Sequence, residues 1–219
     1  MSNPARDAIL GRVRSGIGRS DFTTRRQAAE AAMRRGTPGP QPRLDTDLTA
    51  RFRQKAEALS STSETVARSE DVPAAVERYL AQHGLGNALV ATSDVTAGYA
   101  WSQAGLKVEA RPAVDADRVG LTGCFCAIAE TGTIMLLSSS DTPASISLLP
   151  ETHIALVMKE RMVGTMEEAF ALLRQERGDP PRSVNFISGP SRTGDIEQTI
   201  VLGAHGPCRV HLIVVESAA

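Results

Sequence analysis

Aromatic side chains are scarce in this chain: one Trp, two Tyr and five Phe among 219 residues. Its interior must therefore be aliphatic, built from Val, Ile, Leu, Ala and Met. Phe22 and Phe52 offer few stacking platforms for a nucleic-acid strand, and the arginines are dispersed, so nucleic acid is not an expected partner. Cysteine is also sparse. Cys124, Cys126 and Cys208 make no disulfide framework and no C-x-x-C pair, and they are too few for an all-cysteine four-ligand iron–sulfur cluster. Cys124 and Cys126 alternate as on one strand face, the pattern of a redox-active pair or, more commonly, of small buried hydrophobes. No apolar run approaches the roughly 20 residues needed to cross a bilayer, and the first residues contain no apolar secretory core. The expectation is a soluble cytoplasmic chain with no membrane span. Neither G-x-x-x-x-G-K-[ST] nor G-x-G-x-x-G occurs, so nucleotide hydrolysis and nicotinamide binding have no support. His153, His205 and His211 lack the close spacing of a zinc site; no metal and no cofactor are expected in this chain.

What is present is unevenly charged. Residues 1–55 carry twelve Arg and Lys against five Asp and Glu, and the remainder carries twelve against twenty. A basic arm on an acidic body points to contact between subunits or with an acidic partner, or to a plain solvated helix. Ala5, Ile9, Val13 and Ile17 fall on one helical stripe, while Gly11, Gly16 and Gly18 weaken that helix. Residues 36–42, GTPGPQP, form a Pro/Gly linker. The division is thus a basic N-terminal arm with its linker, 1–43, and a body, 44–219.

Within the body, helix and strand patterns alternate. Helices are predicted over 47–60, 72–82, around 98–104, over 166–174 and over 196–202. Strands are predicted over 64–68, 88–92, 108–111, 153–158, 184–188 and 210–215, with a hairpin or meander over 121–138 that turns at 130–132. This is an α/β pattern: a mostly parallel sheet flanked by helices, preceded by a helical arm.

Two stretches carry chemistry. In the first, residues 121–138 (LTGCFCAIAETGTIMLLS), apolar residues flank Glu130 on both sides. A carboxylate so placed must be paired, hydrogen-bonded or protonated. Glu130, Thr131 and Gly132 read as a tight turn presenting that carboxylate at a sheet edge, or else as a Glu that merely caps backbone N–H groups. The second, residues 186–207 (FISGPSRTGDIEQTIVLGAHGP), reads as a strand, a small-residue loop and a helix starting near Asp195, with Gln198 at capping-box spacing. Ser188, Gly189, Ser191, Arg192, Thr193 and Asp195 would form an anion site, with backbone amides and hydroxyls around a bidentate guanidinium. The alternative is an Arg192 paired with a body carboxylate, possibly Glu130. His153, which opens a strand, and His205, in the turn after that helix, could each line a cleft at a strand edge or be merely structural, and His205 is the second candidate catalytic group.

These stretches resemble the C-type lactate utilization proteins, which carry a LUD domain. The residues that carry the resemblance are TGCFCAIAETGT (122–133), LLPETH (148–153), SGPSRTGDIE (188–197) and LGAHGP (202–207). The resemblance implies a fold related to the sugar-phosphate isomerase and CoA-transferase superfamily. It also implies a role in oxidising L-lactate to pyruvate beside two iron–sulfur partner subunits, which would hold the clusters this chain lacks. The function expected is a non-cluster subunit or accessory with a cleft for a small carboxylate or phosphate-bearing ligand. Two other functions are weighed with it. One is CoA or acyl transfer, because the turn at Glu130 is similar to the one that presents the nucleophilic glutamate in CoA transferases. The other is a scaffold or regulator that recruits partners through its arm.

Overall fold

Alanine and arginine, both strong helix formers, carry the N-terminal segment into two helices. The computed structural model describes residues 4–17, 22–35, 39–44, 47–193 and 201–217, in two compact units, 1–41 and 42–219. The first unit holds α1 (Pro4–Ile17) and α2 (Phe22–Arg35). α1 presents Ile9, Val13 and Ile17 exposed. α2 was not legible from apolar periodicity; its alanines and an Arg26–Glu30 pair one turn apart (2.9 Å) favour it.

In the second unit, α3 (Leu48–Ala58) starts at Asp47, whose side chain accepts from the Ala50 N–H at 3.0 Å. α4 (Val72–His83) carries Pro73 in its first turn. α5 (Ser93–Gly98) is followed by a short 3-10 turn, Trp101–Ala104, so the helix expected around 98–104 is two pieces. α6 is one turn, Ser145–Leu148. α7 (Met166–Arg177) opens with a reciprocal capping box between Thr165 and Glu168.

Six strands form the main sheet: β1 (Thr62–Arg68), β2 (Ala88–Ala91), β3 (Lys107–Ala110), β4 (Val119–Thr122), β7 (Thr152–Met158) and β12 (Arg209–Ser217). Their order is β1-β12-β7-β4-β2-β3, and every neighbouring pair is parallel. A second sheet, in the order β8-β5-β6-β9, contains β5 (Cys126–Ile128), β6 (Thr133–Leu137), β8 (Met162–Val163) and β9 (Val184–Ile187). β5 and β6 are the expected hairpin. β9 pairs antiparallel with β6 and so lies outside the parallel sheet.

The alternation of β7 shows how the layers are glued. Ile154 and Leu156 join α4, Val119 and Leu121 in one core on the first face of the main sheet. Ala155 and Val157 meet Phe52 and Ala56 of α3 and Ala127, Ala129 and Ile134 of the second sheet on the other. The far face of the second sheet, with Cys126, Ile128 and Met135, packs on Ala169 and Leu173 of α7. Each large side chain so buried contributes about 1.5–3 kcal/mol.

Two expectations are corrected. Arg192–Thr193 is a short strand, β10, antiparallel to β11 (Val201–Leu202), so residues 201 and 202 are extended and not helical, because they pair across a hairpin. Asp195, Gln198 and the helix start expected there lie outside the described residues. Cys124 and Cys126 do not share a face: Cys124 precedes β5 and packs between the sheets, whereas Cys126 points towards α7.

Candidate functional site

Ile128 and Thr133 are the last paired residues of the β5–β6 hairpin, which leaves residues 129–132 as its turn, closed by the Gly132 N–H donating to the Ile128 carbonyl at 3.0 Å. Gly132 has φ +68°, and a Cβ there would fall 2.2 Å from the Ala56 nitrogen of α3. Gly189 has φ +87° and would place a Cβ 2.3 Å from the Leu59 carbonyl oxygen. Only glycine allows both loops to press onto the end of α3. The Thr131 hydroxyl donates to Thr133 (2.8 Å), which bonds Ser188 (2.6 Å). The Arg192 guanidinium donates to the Leu59 carbonyl (3.4 Å) and to the Ser60 hydroxyl.

Thr131, Gly132, Ser188, Gly189 and Arg192 therefore meet at the C-terminal end of α3, but the bonds they make there are to one another and to that helix end. Ser191 is tied by its backbone to Pro207 and Gly203 (both 2.9 Å). His205 is exposed in the turn that follows β11. Thr193 is half-buried in β10. The Glu130 N–H donates to the Gly164 carbonyl at 2.9 Å. Glu130 is half-buried, and its carboxylate meets no hydrogen-bond or ion-pair partner among the described residues, Arg192 included.

A different place in the fold is open. From β2 the chain steps outward to β3, then returns to the other side of β2 for β4 and continues away through β7 and β12. Where strand order reverses, the two connections leave in opposite directions and a crevice opens beyond the carboxyl ends of the strands. A cavity of about 630 Å³ lies there, lined by Thr92 after β2, by Thr122, Gly123 and Cys124 at the end of β4, and by Ser147 of α6. Val90 pairs with Gly120 and Ala91 with Leu121, so Thr92 and Thr122 stand side by side. Thr92 is 3% exposed, and its hydroxyl meets no partner among the described residues. It stands at the N-cap of α5 but does not cap it.

Behind Thr122 lies His153, 0% exposed, with Nε2 at 2.9 Å from the Thr122 hydroxyl and Nδ1 facing no partner. Burial pushes its pKa down to about 4, so the ring is neutral.

The cleft carries charge of both signs. Asp94, Asp141, Glu176 and Asp179 line it against Arg161 and Arg177. Arg161 grips Glu176 through two bonds (2.6 and 3.0 Å), donates to the Phe125 carbonyl (2.9 Å) and lies 4.8 Å from the Phe125 ring centre. That hydrogen bond holds the Glu176 carboxyl below its usual range. Arg161 is thus committed to pinning the loop before β5. Arg177 is exposed and has no ion-pair partner among the described residues. The acidic excess opposes a polyanion far more than a singly charged acid. Burial, followed by the neighbouring Cys126, raises the Cys124 thiol, which makes it a poor nucleophile.

Thr92, Asp94 and Arg161 were not legible as site residues. Their only local signal is a polar residue just beyond an apolar strand or beside a turn, and their convergence depends on which strands pair.

The chain matches the family model of the LUD domain over residues 49–215. It is 43% identical over 101 residues to lactate utilization protein C of Bacillus licheniformis, a match covering 45% of this chain and 42% of that one. It is 42% identical over 100 residues to the Bacillus subtilis protein of the same name, covering 44% and 42%. The aligned stretch is therefore less than half the length of these relatives. A crystal structure of a DUF162 family protein from Deinococcus radiodurans superposes with a TM-score of 0.61 at 28% identity, covering 80% of this chain and all of that one. With its family model spanning the parallel sheet, the second sheet and the cleft at their junction, this chain belongs to the LUD-domain family.

Proposed function

We propose that this chain is a non-cluster, ligand-binding component of a bacterial system that oxidises L-lactate to pyruvate, working in the cytoplasm beside iron–sulfur subunits. Its ligand is a small, singly charged acid held in the cleft beyond β2 and β4. The relatives named lactate utilization protein C support the pathway. The observation that carries the ligand site is that Thr92, whose buried hydroxyl has no partner among the described residues, lines a 630 Å³ cleft at the strand-order reversal. The three free cysteines suit a chain that leaves redox chemistry to its partners: Cys126 lies in a core, Cys124 packs between the sheets, and the Cys208 thiol donates to the Glu151 carbonyl at 3.3 Å.

The test is a thermal-shift screen of the full chain with L-lactate, pyruvate, phosphate, a flavin nucleotide and CoA esters. A ligand of the folded state raises Tm by mass action, by about 2.7 kcal/mol of stability at a hundredfold excess over Kd. Lactate or pyruvate should give a saturable rise, and CoA esters and the flavin nucleotide should not. No response to either acid, with full lactate oxidation by the iron–sulfur partners alone, defeats the reading.

A second reading rests on Glu130, a half-buried residue whose carboxylate has no partner among the described residues. As a CoA-transferase-like nucleophile it would attack the thioester carbonyl of an acyl-CoA, forming an acyl-glutamyl anhydride and releasing the CoA thiolate. Intact mass after incubation with acetyl-CoA should then show an adduct that is missing in Glu130→Gln. An unmodified mass with every acyl donor tried removes this reading.

A further inference from the structure

Three side chains share the cleft-facing side of the main sheet: Thr92 after β2, Thr122 at the end of β4, and His153 on β7. The register aligns them. Gly120 is opposite His153, so no side chain separates the imidazole from Thr122, two residues further along β4. The ring is buried, and a neutral imidazole carries one proton. On Nδ1 that proton would be a donor with nothing to bond, and orphaned buried donors are rarer and costlier than orphaned lone pairs. On Nε2 it is used, donated to the Thr122 oxygen 2.9 Å away. A hydroxyl that accepts from His153 keeps its own O–H for another acceptor. The Thr92 hydroxyl, buried and without a partner among the described residues, is in the same condition one strand away.

We propose that Thr92 and Thr122 form a paired hydroxyl-donor site for the two acceptor oxygens of a small carboxylate or keto acid, with His153 as the positioning residue that turns the Thr122 hydroxyl into a donor. This deepens the cleft reading above and rests on it. It assigns recognition to two neutral donors, which suits a cavity whose carboxylates would repel a phosphate-rich ligand.

Two measurements on the full chain test it. The first needs no ligand. Long-range proton–nitrogen correlation spectra of 15N-histidine-labelled protein at pH 7.5 report which ring nitrogen of His153 is protonated, with His153→Gln assigning the signal. Nε2–H is expected, and Nδ1–H overturns the proposal.

The second is calorimetric titration with pyruvate. Thr122→Val and Thr92→Val should each weaken binding about tenfold, the cost of one hydrogen bond to a charged acceptor, while Thr122→Ser and Thr92→Ser stay within about threefold. In a double-mutant cycle, His153→Gln should cost several-fold alone and almost nothing once Thr122 is Val. Additive losses would make His153 merely structural and overturn its role. If His153→Gln fails to fold, the His153 signal is assigned by its response to Thr122→Val, and the wild-type tautomer and the four threonine variants still decide. Wild-type protein that does not bind pyruvate overturns the recognition site, while membership in the lactate pathway is judged separately by lactate-dependent electron transfer with and without this chain.

Discussion

Gly120→Ala should destabilise the chain by about 3 kcal/mol or more, among the largest effects of any single methyl group in the molecule. A Cβ at Gly120 would lie 1.9 Å from the Ile146 carbonyl oxygen, 3.0 Å from its carbon and 3.1 Å from Pro150 Cγ. The obstacle is backbone, which cannot rotate aside as a flexible side chain would. α6 would have to lift from β4, taking with it the fully buried Ile146 and Ser147 of the cleft wall. Pyruvate binding should fall together with stability. Gly98→Ala is the control: its Cβ would meet nothing within 4 Å, and its change should stay within about 0.5 kcal/mol. Urea unfolding of both variants measures this. A Gly120→Ala protein within 1 kcal/mol of wild type, on the order of an ordinary surface change, would show that α6 does not seat on β4 as described.

The second large effect is on the pH dependence of stability. His153 has an unfolded pKa of about 6.5, and burial lowers it to about 4 in the folded chain. Between those values the unfolded chain binds the extra proton, so stability is fully present above pH 6.5, falls as the pH drops towards 4, and levels off below. The full loss is about 3 kcal/mol, and roughly 2 kcal/mol of it falls between pH 7 and 4.5. His211 acts in the same direction: burial lowers it, against an opposing hydrogen bond to Glu64. Carboxylates also titrate in this range, so the comparison is differential. The stability drop from pH 7 to 4.5 should be about 2 kcal/mol smaller in His153→Gln than in wild type. Equal slopes would mean that the imidazole is hydrated and titrates normally.

Much of the fold was legible because burial imposes a period on sequence. The helix predicted over 72–82 and the strand predicted over 153–158 are α4 and β7, and in α4 the buried Val72, Val76 and Leu80 do lie at helical spacing. The turn at residues 130–132 was legible because Gly132 breaks an apolar run where L side chains do not fit. The hairpin of Arg192–Thr193 with Val201–Leu202 was not. Between its arms, Asp195 and Gln198 carry a helix-capping pattern, and a local pattern cannot reveal that its flanks pair with each other. α2 was hidden for the opposite reason, since an alanine- and arginine-rich helix without a buried face has little apolar periodicity.

The candidate site divides in the same way. Thr131, Gly132, Ser188 and Gly189 stand out as unusual residues in their local context, and they do meet in space, at the end of α3; Glu130, equally unusual, bonds instead through its N–H to Gly164. Thr92 and Thr122 are ordinary residues thirty positions apart; His153, a further thirty-one along, could be named as a cleft residue, but not its pairing with Thr122.

The order of residues alone determined the aliphatic core, the alternating helices and strands, the basic arm and the family. Those properties follow from what each side chain does beside its near neighbours. Only the tertiary structure decided that β4 returns between β2 and β7, because strand order is set by the packing of whole layers. That one reversal opens the cleft, sets Thr92 and Thr122 on neighbouring strands beside it and places a neutral imidazole behind Thr122.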